Sequence, residues 1–153
     1  MKSRGEINKS WYVAISRLVH RIYTSIDSAS LARVVKYNKE KHIADIQPLA
    51  NFADGTKSAQ FLDVPVSENC YKTDELLERL KPELAKVDAH VGSSITSKLP
   101  KTPRMKTGAI VVYVALDRDI DNWDGTGNEF TPGSNRTHDA NDSIIIGTIG
   151  SGD

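Results

Sequence analysis

The sequence predicts a mainly β domain: a five-stranded barrel with a helix at its N-terminus and a helical insert between the third and fourth strands. Three observations predict it. Five short apolar-rich segments follow residue 30, the first two alternating with polar residues and the fourth nearly unbroken; turn-forming residues punctuate them, and a helical period appears in two places.

The first helical stretch is Ser10 to Ile26, where Trp11, Ile15, Leu18, Val19 and Ile22 recur at spacings of three and four while Arg17 and Arg21 lie on the other side. Asp27-Ser28 stops it, so residues 1–28 form an N-terminal helical unit. From Leu31 the period becomes two. Ala32–Tyr37 and His42–Pro48 flank the polar turn Asn38–Lys41 and read as a β-hairpin. Asp54-Gly55 marks the next turn, and Ser58–Val66 is a third strand, with Pro65 near its end or on an edge. Thr73 then caps a helix over 73–91 whose first turn carries Asp74 and Glu75, with Pro82 kinking or restarting it. Gly92–Pro103 is a polar loop. Gly108–Leu116 is nearly continuous in apolar residues and reads as a strand buried on both faces. Asp117–Asp142 is a long polar segment, Ser143–Thr148 is the last strand, and 149–153 is a flexible tail. Five strands, an opening hairpin and a helix between the third and fourth are what a five-stranded OB-type barrel needs, here over residues 29–148.

Composition excludes several functions. The 153 residues carry 20 basic and 20 acidic side chains, a balance poorly suited to holding a phosphate backbone and better suited to a subunit of an assembly. Cys70 is the single cysteine, which excludes an intrachain disulfide and a cysteine-based zinc site. No stretch approaches a membrane span and the first residues do not resemble a signal peptide, so synthesis in a reducing cytoplasm without stable membrane insertion is expected.

The acidic run Asp117, Asp119, Asp121, Asp124 invites a calcium loop, but counting from Asp117 puts Asn122 where the glycine should stand and Asn128 where the bidentate glutamate should stand. The structural reading is that these carboxylates cap turns and pair with Arg118 and Arg136, while a buried Trp123 anchors the loop on the barrel. A nucleophile and base set would have to come from Cys70, His138 and Asp139. Adjacent His and Asp cannot readily make the base–orienter hydrogen bond, and His138-Asp139 reads instead as a loop-locking pair before the last strand. No catalysis, metal or cofactor is expected. Lys98, Lys101, Arg104 and Lys106 form a basic cluster without a neighbouring aromatic, which reads as a solvated loop.

Two sequence words remain. Leu116-Asp117-Arg118-Asp119-Ile120-Asp121-Asn122-Trp123 and Arg136-Thr137-His138-Asp139-Ala140-Asn141-Asp142, together with Ile46-Gln47-Pro48 and Asp63-Val64-Pro65-Val66, resemble the N-terminal OB-fold domain of the baseplate central spikes of tailed bacteriophages. The resemblance spans roughly 31–146. The helical insert departs from that family, whose complete members also continue into a C-terminal β-helix that this sequence lacks. The family's tip iron sits on His-x-His pairs, and His20, His42, His90 and His138 form none. The resemblance implies a structural, non-enzymatic virion protein, a central spike or hub–spike adaptor in host envelope penetration. Its partners would be two further copies in a homotrimer, the baseplate hub, and a separate distal needle protein if one forms the tip. Ile144, Ile145 and Ile146 are the expected trimer contacts, because Ile110–Leu116 and these three offer more apolar surface than one small barrel consumes. The alternative function is an OB-type module for single-stranded nucleic acid.

Overall fold

The computed structural model describes residues 4–150, with the side chains of 4–8 outside the description. Helix α1 spans Arg4–Thr24, strands β1, β2 and β3 span Ala29–Asn38, Ile43–Pro48 and Phe61–Pro65, helix α2 spans Glu68–Val91, and β4 and β5 span Ile110–Ala115 and Ser143–Ile149. The strands form one antiparallel, curled sheet in the order β3-β2-β1-β4-β5. At one end its two edges meet. Val66, just past β3, bridges Ile145 of β5 in parallel, and the Ser67 N–H donates to the Ile145 carbonyl at 2.9 Å. The result is mainly β and barrel-like, with two helices.

Alternation decides what fills it. Ala32 and Val34 of β1, Ala44 and Ile46 of β2, Val64, Val111 and Tyr113 of β4, and Ile145 of β5 face inward and are buried. Ala32 pairs with Val111, Val34 with Ile46, Ala44 with Val64, and Tyr113 with Ile145, so the inward residues meet across neighbouring strands. The register slips between Val34 and Lys36 in β1, and between Val112 and Tyr113 against β5. Such bulges add the local twist a small curled sheet needs to bring its edges together. Cys70 of α2 and Met105 of the loop before β4 complete the core, and Phe61 meets the Tyr113 ring edge-on at 5.6 Å.

Several expected boundaries shift for local reasons. Helix α2 starts at Glu68, directly after Ser67 turns out of β3, and not at Thr73; Glu68 is the acid of its first turn. It runs through Pro82 without a break, although Pro82 lacks the N–H that would bond back to the Glu78 carbonyl. Strand β3 begins at Phe61, because Ser58 spends its carbonyl on the Gln47 amide (2.8 Å) and its hydroxyl on the Ala50 carbonyl (3.1 Å). Strand β4 is buried on one face only, and Ile110, Val112 and Val114 are half-exposed on the other. The expected tail from 149 begins later, since Ile149 still pairs with Ile110 in β5; residues 151–153 lie outside the described residues. Helix α1 starts at Arg4 rather than Ser10 and touches no other helix or strand among the described residues. Among these residues no helix is long and apolar enough to cross a membrane.

Candidate functional site

The chain leaves β4 at Ala115 and re-enters the sheet at Ser143, so 116–142 is a long loop without helix or strand. A loop of this length stays ordered only if its polar groups find fixed partners. The Leu116 N–H donates to the Asp142 carbonyl at 2.8 Å and ties the two ends together. Inside, Asp119 and Asp142 are each only 1% exposed. Half-buried Arg136 answers both. Its Nη2 donates to Asp142 Oδ1 at 3.0 Å and to Asp121 Oδ2 at 2.9 Å and lies 3.2 Å from Asp119 Oδ1, while its Nε donates to Asp142 Oδ2 at 3.2 Å. The fork on Asp142 is the bidentate geometry that a planar guanidinium provides and an ammonium does not.

Hydroxyl and backbone donors add to the guanidinium. Ser134 Oγ donates to Asp119 Oδ2 at 2.5 Å, the Asp121 N–H to Asp119 Oδ1 at 2.9 Å, and the Ile120 N–H to Asp142 Oδ1 at 3.2 Å. The Ser134 hydroxyl, the Asp121 N–H and the nearby Arg136 charge hold the Asp119 carboxyl below the usual carboxylate range. Hydrogen bonds to Asp142 and Asp121 hold Arg136 charged beyond its already high ordinary value. The arrangement is a fixed cation in a nest of fixed anions. One oxygen each of Asp119, Asp121 and Asp142 lies within 4.8 Å of the others, close enough to share a metal ion. The Arg136 Nη2 already lies within 3.2 Å of all three, so a metal would have to displace the guanidinium.

Of the residues the sequence singles out, Arg136 is the centre of this cluster. Arg118 is not part of it; it is exposed and its Nε lies 3.3 Å from its neighbour Asp117. Trp123 is half-buried, not buried as expected, and its indole N–H donates within its own turn to the Thr126 carbonyl at 2.8 Å. The buried polar contacts of the loop centre on the ion cluster and not on a buried ring. Asp124 likewise stays local, accepting from the Thr126 N–H (2.9 Å) and hydroxyl (2.5 Å). His138 and Asp139 have separate tasks. His138 adopts a left-handed backbone with φ of 51°, its carbonyl accepts from the Asp27 N–H at 3.1 Å, and its Nε2 lies 3.3 Å from Asp117 Oδ1. Asp139 accepts from the Asn141 N–H and side-chain amide at 2.9 and 2.8 Å, forming the turn before Asp142. Cys70 lies in the core, and burial pushes its thiol up, the opposite of what a nucleophile needs.

The three isoleucines divide by strand alternation. Ile145 is fully buried inside the sheet and cannot be a trimer contact, whereas Ile146 is exposed and Ile144 half-exposed on the outer face. Sequence reasoning missed Ser134 and the buried state of Asp119, because nothing in a polar loop distinguishes a serine or aspartate that turns inward from one that does not. It also missed Asp27, whose carboxylate accepts from the Ala140 N–H at 3.2 Å and joins the start of β1 to this loop.

Concave surfaces lie elsewhere, two of them beside the residues considered above. Lys101, Arg104 and Lys106 line an open groove against Thr148 and Ile149, with no aromatic side chain along it. A cavity of about 370 Å³ opens between α2, the end of β1 and the loop 100–107, lined by Tyr37, Tyr71, Asp74 and Glu75 among others. At that side of the barrel His42 stacks on Tyr71 at 3.8 Å, and both the Tyr37 hydroxyl and His42 Nδ1 are buried without a hydrogen-bond partner among the described residues. Burial first, then Glu75, pushes the Tyr37 hydroxyl up to about 12. No protein-family model and no curated protein matches this chain.

Proposed function

We propose that this chain is a structural subunit of a bacteriophage tail baseplate, a central spike or hub–spike adaptor built on an OB-type barrel and working as a homotrimer without catalysis. One observation carries the reading. The two sequence words that resemble the spike family lie more than ten residues apart, yet Asp119 and Asp121 of the first and Arg136 and Asp142 of the second meet in a single ion cluster. Residues of a shared motif that converge on one structural lock are what a resemblance in architecture requires, as opposed to a chance match of words. The strand order supports the same reading: β1 lies between β2 and β4, β5 lies beyond β4, and β3 returns toward β5 in parallel, as an OB-type barrel requires. The outer face, with half-exposed Ile110, Val112, Val114 and Ile144 and exposed Leu31 and Ile146, supplies apolar surface for subunit contact.

Antibodies against the chain, applied to purified tail particles from the producing cells, test this reading by electron microscopy. Label at the baseplate end is expected; tails free of label would overturn it. The competing module for single-stranded nucleic acid has the groove of Lys101, Arg104 and Lys106 but no stacking platform beside it. The proposed subunit elutes from single-stranded DNA or heparin below physiological salt, whereas retention above it would favour that module.

A further inference from the structure

The cavity of about 370 Å³ beside α2 shares no residue with the ion cluster of the long loop, and its size is that of a small-molecule site. Tyr71, Leu77 and Met105 give it aromatic and apolar walls, and Asp74, Glu75 and Glu78 of α2 line it together with three lysines. These charges are unequally engaged. Lys39 pairs with Glu78, and the Lys81 ammonium donates to the Pro100 carbonyl at 3.0 Å. Asp74 Oδ2 accepts from the Met105 N–H at 3.0 Å, while its Oδ1 accepts nothing among the described residues. Glu75 accepts no hydrogen bond from these residues either, although its side chain is only 24% exposed; His42 Nε2 stops 3.7 Å from it. A carboxylate so far out of water ordinarily holds a donor. The Tyr37 hydroxyl, buried in the same wall, also lacks a partner among the described residues, and after burial it is Glu75 that raises it most.

We infer that this cavity binds a primary ammonium on a short alkyl chain, with Glu75 as its counter-ion, Asp74 Oδ1 as a second acceptor, and the Tyr71, Leu77 and Met105 walls around the alkyl part. An ammonium brings three donors to a place that holds acceptors without donors. A carboxylate ligand would face Glu75 and Asp74, and a wholly apolar one would bury them unanswered. Tyrosine rings beside the site favour a cation further. Lys106 is the lining lysine whose ammonium has no partner among the described residues. Its charge opposes the ligand, so removing it strengthens the site. A free amine and the lysine side chain of a partner protein share this chemistry. The site belongs to the single chain and does not depend on a place in a tail.

Amide chemical shifts of the full chain, titrated with butylamine and, as controls, with butanol and butyrate, test the inference. Saturable shifts at Tyr37, 71–78 and 102–107 are expected with butylamine alone. Glu75→Gln, which keeps the side chain's shape, is expected to bind about tenfold more weakly, and Lys106→Met at least as tightly as wild type. Absent or unsaturable shifts, equal binding of butanol, or binding of butyrate at these amides would overturn the inference with no variant needed. An unchanged affinity in Glu75→Gln with a dispersed, folded spectrum would overturn it too. Lysine capped at both its α-amino and carboxyl groups separates the two sources: tighter binding than butylamine assigns a partner's side chain, weaker binding a free amine.

Discussion

At Arg136 a single guanidinium serves three carboxylates, two of them shielded from water, and removing it leaves two buried anions without their counter-charge. Arg136→Ala is therefore expected to lower the melting temperature by roughly 5 °C or more, with Arg136→Lys restoring only part of it because an ammonium cannot fork across Asp142. Differential scanning calorimetry on the three proteins checks this, and an unchanged melting temperature in Arg136→Ala would sink it. Acid acts on the same cluster. The Asp119 carboxyl is held below its unfolded value, so its contribution is complete above the unfolded value near pH 4 and is lost as pH falls through the lowered folded one. Urea unfolding from pH 6 down to pH 2 should show stability falling on the acid side, and Asp119→Asn should flatten that fall. Neither effect was legible beforehand. Arg136 is among the loop anchors expected from the sequence, but the central role there falls to Trp123, since large aromatics are the usual way to pin a loop. Here the polar contacts of the loop centre on Asp142, whose carbonyl takes the Leu116 N–H and whose buried carboxylate takes Ile120 and Arg136, an anion that an aromatic ring would leave unanswered.

Strands and helices were far more legible than the loop, and the reason is period. Alternation located β1 and β2, and apolar runs between polar segments located β4 and β5, each to within a few residues. It misjudged β4 because an unbroken apolar run does not say whether its outer face meets protein or water. The same ambiguity put Ile145 among the surface contacts when strand parity sends it inward beside Tyr113. Ile145→Ala should cost about 2–5 kcal/mol, the usual range for a fully buried aliphatic side chain, whereas half-buried Trp123→Ala should cost less. Urea titrations of both variants decide it, and the reverse order would mean that the aromatic, after all, anchors the loop. The start of α2 was missed because Thr73 with its following acids looks like a cap, while Ser67 begins the helix without any side-chain capping bond. Buried Cys70 on that helix reports its docking. Its thiol should react with a disulfide reagent only slowly in the native state and rapidly in denaturant, and fast native labelling would show α2 detached from the barrel.

On the scale of the whole molecule, a neutral chain carries an apolar outer sheet face and an uncovered apolar helix, both of which an isolated monomer would leave in water. Period alone places the helix, but not its lack of contact with any other helix or strand among the described residues; that is a tertiary fact. Three copies arranged around one axis would cover the outer sheet face in a closed assembly with no open end for further growth. The working unit we propose is thus a trimer. The mass of the full chain in solution, measured by light scattering during size exclusion across a tenfold range of concentration, tests it most directly. A constant mass near three times 16.8 kDa is expected, and a constant mass of one chain would sink the proposal.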